Sequence, residues 1–277
     1  MSTKELFLKS NDYSTKWEKY FDVYDHIFGK FRNRKITFVE VGILNGGSLQ
    51  IWKNYFHPDS KIIGVDLNPE CKKFEKNGIE IFIGDQSDEN FWDNFYKEVG
   101  KIDIILDDGG HTNSQQIITT LKSIPNINDD GILMVEDTHT SYMREFSNPN
   151  KYSFINFTKK IIDDVNFKHP YLDNFKTSLN NYIYSIQYFE SIVVFYVNTK
   201  KTNTNKKVHN KQSKKNNMKD FRYHNSILQK LLNIKSKYNL EFLGKFKLFR
   251  IFYTFVLYIT LYLKNFKDSK KNKKFFK

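Results

Sequence analysis

Residues 36–48 read ITFVEVGILNGGS. Ile36 to Val41 is β-branched or aromatic apart from Glu40, Gly42 to Gly47 holds three glycines, and helical spacing runs from Ser48 to Phe56. A buried strand, a glycine turn and a helix start form the opening unit of a parallel sheet, which binds small molecules across its strand ends. Gly42 and Gly46 are separated by three residues, so the spacing departs from G-x-G-x-x-G and argues against a nicotinamide pyrophosphate.

Working outward, Ile62 to Val65, Ile79 to Ile83, Ile102 to Leu106 and Ile132 to Val135 read as further strands buried on both faces. Between them Phe91, Trp92, Phe95, Tyr96 and Val99, and then Ile117, Ile118 and Leu121, keep helical spacing. Upstream, residues 14–31 place Trp17, Tyr20, Phe21, Tyr24, Ile27, Phe28 and Phe31 on one stripe, which predicts an amphipathic helix. Downstream, Phe154 to Val165 reads as a helix, and Ser185 to Phe189 with Ile192 to Val197 as a closing antiparallel hairpin. The expected fold class is α/β, a mostly parallel Rossmann-like sheet with helices on both faces.

Charge divides the chain at the same boundary. Residues 1–197 hold 22 Lys/Arg against 28 Asp/Glu, and residues 198–277 hold 22 against 3, so the net +13 belongs to the C-terminal part. The expected organisation is a domain at 1–197, a Lys/Asn-rich flexible tether at 198–219 and a basic, aromatic helical tail at 220–277. Ile227, Leu228, Leu231, Leu232 and Ile234 suggest one tail helix. Leu248 to Leu263, about 24 Å long as a helix, falls short of the ~30 Å hydrocarbon core. Lysines across residues 245–277 bracket this run, which suits attachment to an anionic membrane surface. A helix packed on the domain, pairing of two copies, and lysines that only keep the segment soluble are the competing readings. Nucleic acid is disfavoured because the tether offers no structured face. The single cysteine, Cys71, excludes an intramolecular disulfide or a Cys-based metal cluster, and the first twenty residues lack an apolar signal core. A cytoplasmic protein is expected, at most peripheral to the inner face of a membrane.

The strand ends carry the chemistry. Gly64-Val65-Asp66 places a carboxylate where ribose hydroxyls are accepted, although a helix cap would use the same residue. Gly84-Asp85-Gln86 offers polar tips suited to an adenine edge. Asp107-Asp108-Gly109-Gly110-His111 and Glu136-Asp137-Thr138-His139 put four carboxylates and two imidazoles on one rim. Adjacent strands lie roughly 5 Å apart, so these acids raise one another's pKa unless a cation intervenes. Oxygen ligands from Asp108, Glu136 and Asp137 suit Mg²⁺, with His111 as general base for a substrate hydroxyl and His139 as its reserve.

Together, the glycine turn with Ser48, Cys71-Lys-Lys, Gly-Asp-Gln, Asp-Asp-Gly-Gly-His and Glu-Asp-x-His-Thr-Ser-Tyr resemble class I S-adenosylmethionine-dependent methyltransferases. The sequence is similar to macrolide sugar O-methyltransferases of the mycinamicin VI and demethylmacrocin types and to the cephalosporin hydroxylase-like group, over about residues 14–197. The resemblance implies S-adenosylmethionine across the strand ends and Mg²⁺ beside its methyl group. It puts the metal carboxylates on Asp108, Glu136 and Asp137 and the base on His111. Cofactor contacts fall on Glu40, the turn from Gly42 through Gly46 and Gly47 to Ser48, Asp66 and Asp85. The implied activity is methyl transfer to a hydroxyl of a sugar or glycan. A nicotinamide-type oxidoreductase or hydroxylase, and a non-catalytic membrane or polyanion adaptor, are the alternatives; neither the acceptor nor the number of subunits is legible.

Overall fold

The structure is a computed structural model that describes residues 1–146, 150–168, 179–203, 205–208, 230 and 246–276. The chain divides into two compact units, Met1–Lys207 and Val208–Lys277.

The first unit is built on a seven-stranded sheet of order β3-β2-β1-β4-β5-β7-β6. Its strands are β1 (Thr37–Val41), β2 (Lys61–Asp66), β3 (Ile79–Ile83), β4 (Ile102–Asp107), β5 (Ile127–Val135), β6 (Ile183–Phe189) and β7 (Ile192–Val197). β1 to β5 pair in parallel, and β7 runs antiparallel to both β5 and β6. The chain moves outward from β1 to β3 and then returns to add β4 on the other side of β1. This reversal opens a crevice between the C-terminal ends of β1 and β4, the place where open α/β sheets bind ligands.

Alternate strand residues feed two separate cores. Phe38, Ile62, Ile104, Leu106, Ile132 and Met134 pack on one face with α1 (Thr3–Lys9), α2 (Tyr20–Phe28) and α3 (Gly47–Tyr55). Val39, Ile63, Val65, Ile105, Leu133 and Val135 pack on the other with α4 (Glu89–Val99), α5 (Asn113–Ser123) and α6 (Phe154–Asn166). Burial of both faces explains the continuous apolar runs in these strands. Aromatic residues fill the first core, where Tyr24, Phe28 and Phe38 ring the buried Trp52.

Two local readings are corrected. Residues 14–31 are not one helix: α2 begins at Tyr20, a 3₁₀ turn follows at Gly29–Phe31, and Trp17 is 62% exposed. Residues 10–19 instead run as a non-helical strap, pinned because Lys16 is drawn into a cluster of acids described below. The helix α1 was not expected, yet Ser2 and Glu5 form a reciprocal capping box, a signature readable in S-T-K-E.

In the second unit, Lys247–Asn272 is a helix that contains the aromatic run. Leu248, Ile251, Phe252, Phe255, Tyr258, Ile259, Tyr262 and Phe266 are all exposed and recur at three- and four-residue steps. Among the described residues no helix is long and apolar enough to cross a membrane. Most of the tether, and the helix expected around Ile227 to Ile234, lie outside the described residues.

Candidate active site

Gly42 ends β1 with φ +82°, and its amide donates to the Val65 carbonyl at 2.8 Å. A Cβ there would stand 2.2 Å from the Asp108 carbonyl oxygen, so the two central strand ends touch backbone to backbone only because this residue has no side chain. The turn is held from β2: Asp66 accepts backbone N–H bonds from Ile43 at 2.9 Å, Leu44 at 3.1 Å and Asn68 at 2.9 Å. Ser48, on the first turn of α3, donates to the buried Glu40 carboxylate at 2.8 Å.

This turn walls a cavity of about 400 Å³, within the range that takes a nucleoside-sized ligand. Gly42, Ser48, Asp66, Asp85, Gln86, Asp108 and His111 line it. So do Tyr13 to Lys16 of the strap, whose Tyr13 carbonyl lies directly over Gly47. Glu40, Gly46 and Gly47 stand behind the wall and shape it. Gln86 is largely committed to the fold: its amide donates to Asp107 at 3.0 Å and Thr119 at 3.1 Å and accepts from the Gly110 N–H at 2.8 Å. Asp85 accepts from the Ser87 amide and hydroxyl, both at 2.7 Å.

Asp108 is the partition between this cavity and a smaller one of about 230 Å³ formed with Lys16, Trp17, Tyr20, Glu136 and Asp137. One donor atom each from Asp108, His111 and Asp137 lies within 4.8 Å of the others. His111 Nε2 is 3.5 Å from an Asp137 oxygen and 3.9 Å from an Asp108 oxygen. Both His111 (φ +58°) and Asp137 (φ +51°) are in the left-handed region, a strained backbone that the fold maintains where the two residues face each other. Two carboxylates converging on one point fit a divalent cation, and the imidazole beside them is placed to take a proton.

Glu136 is not among the three residues whose donor atoms converge, yet it lines the smaller cavity with Asp108 and Asp137. Its side chain is buried, one oxygen accepting from the Tyr24 hydroxyl and the other from the Lys16 ammonium at 3.2 Å. Tyr20 donates to Asp137 at 2.6 Å. His139 sits apart from His111, edge-on to Trp17 in a cavity of about 360 Å³ with Lys19, Tyr20 and Glu190. Its Nδ1 is 3.9 Å from Asp137.

The acids behind the rim hold protons more readily than free carboxyls do. Burial pushes Glu40 up to about 7 and Asp107 up to about 6, and raises Glu136 well above the carboxylate range. Burial disfavours the Lys16 ammonium, but attraction from Asp108, Glu136 and Glu40 outweighs it and lifts its pKa above the ordinary lysine value. The three acids are raised chiefly by burial, whereas the rise at Lys16 reports the negative potential of the rim, the condition a cation relieves.

Lys16, Tyr20 and Tyr24 were missed as site residues. The tyrosines carried a faint signal, hydroxyls at i and i+4 on a stripe otherwise made of Trp, Phe and Ile. Lys16 carried none, because its role depends on a strap that has no periodicity.

No family model matches the sequence. The chain is 30% identical over 164 residues to a tetracenomycin rhamnosyl 2'-O-methyltransferase of Streptomyces olivaceus, covering 55% of this chain and 43% of that protein. It is 30% identical over 154 residues to mycinamicin VI 2''-O-methyltransferase of Micromonospora griseorubida, covering 51% of this chain and 38% of the relative. The sheet and its helices superpose on the MycE methyltransferase of the mycinamycin pathway, solved with Mg and SAH, at a TM-score of 0.64 and 23% identity over 72% of this chain and 55% of that one. The chain has a class I methyltransferase fold. It spans less than half the length of the curated relatives it matches. The expected α/β architecture and family resemblance therefore agree with these findings, and the curated homologues are sugar O-methyltransferases.

Proposed function

We propose that the first unit transfers a methyl group from S-adenosylmethionine to a hydroxyl of a sugar or glycan, with a divalent cation, Mg²⁺, at the acidic rim. The observation that carries this reading is the convergence of Asp108, His111 and Asp137, with Asp108 and His111 on the wall of a nucleoside-sized cavity and Asp137 in the smaller one beside it. The glycine turn and Asp85 border the donor's space, and Asp66 keeps the turn in shape. Asp108 and Asp137 would hold the ion and Glu136, anchored by Tyr24, would fix the loop beside it. When bound, such an ion supplies positive charge that makes a neighbouring hydroxyl more acidic.

His111 takes the hydroxyl proton on Nε2 as the oxygen bonds to the methyl carbon and the carbon–sulfur bond breaks, leaving S-adenosylhomocysteine. Positioning and charge stabilisation account for the acceleration, since no covalent step on the protein is needed. The cavity around Trp17, Tyr20 and His139 opens beside Asp137 and offers an aromatic face and polar groups to an acceptor sugar. Production of S-adenosylhomocysteine from rhamnosyl or related deoxysugar acceptors, lost on chelation and restored by Mg²⁺, tests the reading. Methyl transfer indifferent to chelation would overturn the metal half of it.

We infer a second role for the helix Lys247–Asn272, attachment to an anionic lipid surface. Its exposed aromatic stripe is followed by Lys264, Lys267, Lys270, Lys271, Lys273 and Lys274, and apolar insertion plus attraction to headgroups uses both features. The full chain should float with phosphatidylglycerol vesicles and not with phosphatidylcholine, and a Phe252→Asp, Phe255→Asp, Tyr262→Asp variant should stay behind. Equal flotation of variant and parent would remove this role, as would dimerisation or nucleic-acid binding through the same stripe.

A further inference from the structure

The strap places a cation among the acids that the proposed metal needs. Lys16 Nζ is 2.5 Å from Asp108 Oδ2, 3.2 Å from Glu136 Oε2 and 3.7 Å from Glu40 Oε1, with its side chain only 4% exposed. The contact with Asp108 joins residues 92 positions apart in sequence. A lysine on a surface strap has solvent available, and burying its ammonium is unfavourable unless acids offset the lost hydration. Here three carboxylates from three different strand ends do so.

We propose that Lys16 is a built-in counter-cation that occupies the seat between Asp108 and Glu136, and that a divalent ion at the rim competes with it for Asp108. This rests on the proposed metal-assisted reading and assigns within it a role to a residue outside the proposed ligand set. The physical basis is that a hard dication requires oxygens at about 2.0–2.6 Å, so an ammonium hydrogen-bonded to Asp108 excludes it from that oxygen. Without the ion, Lys16 prevents the carboxylates from repelling one another and keeps the rim assembled. With the ion, the ammonium withdraws from Asp108 and carries the strap with it. Thr15 and Lys16 line both the large cavity and the smaller one, and Tyr13 and Ser14 line the large one. Ion loading and the shape of the donor cavity are therefore linked through one segment, and the linkage is reciprocal.

Manganese serves as the probe of affinity, by calorimetry and by the loss of its free-ion spin-resonance signal, on the full chain and on Lys16→Met and Lys16→Gln. Removing the competing charge should tighten Mn²⁺ binding by about tenfold or more. Asp108→Asn, which removes a proposed ligand, should abolish binding and so assigns the signal to the rim. Binding by the variants but not by the parent also supports the proposal. Parent-like or weaker Mn²⁺ affinity in both Lys16 variants overturns the role of Lys16 and leaves the metal reading intact. No binding in any protein overturns both.

A second readout uses the parent protein and so does not depend on the variants folding. Trp52 and Trp92 are buried, whereas Trp17 is exposed and adjacent to Lys16. Mg²⁺ titration should change Trp17 emission with the same midpoint as ion binding, and Trp17→Phe should remove the change. Saturating Mg²⁺ that leaves the emission untouched means the strap does not move, which contradicts displacement.

Discussion

Gly42→Ala isolates the contact that brings the two central strand ends together. The added Cβ would lie 2.2 Å from the Asp108 carbonyl oxygen and 2.6 Å from Gly109 Cα, whereas ordinary contact begins at 3.4 Å. The Asp108–Gly109 backbone would have to retreat by more than about 1 Å, against the 2.9 Å bond from the Asp108 amide to the Val41 carbonyl. Overpacking of this kind costs about 1–3 kcal/mol, and the left-handed φ of +82° adds about 1–3 kcal/mol for any residue with a Cβ. The total is about 2–6 kcal/mol. Gly78→Ala is the internal control, since its φ is +76° but its Cβ would meet only Lys53 Nζ, at 3.7 Å. It should cost the backbone part alone. Urea denaturation gives both stabilities, and calorimetry with S-adenosylhomocysteine reads the cavity. Equal destabilisation by the two substitutions, with donor-product affinity unchanged in Gly42→Ala, would refute the packing argument.

Other expectations follow from the same geometry. Tyr24→Phe removes the hydroxyl donor to a buried carboxylate and should cost about 1.5–3 kcal/mol of stability in denaturant melts while leaving the aromatic packing in place. Because burial raises Glu40 to about 7 from 4.5, the folded state binds its proton more tightly than the unfolded state. Its contribution is thus fully present below about pH 4.5 and is lost as pH rises towards 7; the parent should lose melting temperature over that window relative to Glu40→Gln, and parallel profiles would contradict this. His111→Asn should lower the rate of methyl transfer by about 10²–10⁴-fold with little change in S-adenosylhomocysteine affinity.

The sheet was legible because its central parallel strands are buried on both faces and so appear as apolar runs, such as Ile62 to Val65, whereas the edge strand β3 is only half buried. The rim was legible because Asp108, His111, Glu136 and Asp137 follow those strands directly, and strand ends in a parallel sheet share one edge. What sequence could not supply was direction. Glu136 and Asp137 are neighbours, but one side chain reaches Tyr24 and Lys16 while the other faces His111, and Asp137 has a left-handed φ. The strap was hidden for a different reason: Trp17 fits the helical stripe by spacing, and the acids that hold Lys16 lie far away in sequence. The bonds of Gln86 to Asp107, Thr119 and Gly110 were not legible because these partners come from other elements, while the residue does line the large cavity.

The central claim is that Asp108 and Asp137 hold a divalent ion beside a bound methyl donor. Anomalous diffraction from crystals of the full chain grown with Mn²⁺ and S-adenosylhomocysteine tests it directly. The account predicts a peak within about 2.0–2.6 Å of oxygens from both residues, next to nucleoside density in the cavity under the Gly42 turn. Nucleoside density with no anomalous peak at the rim, and Lys16 still seated on Asp108, would contradict it.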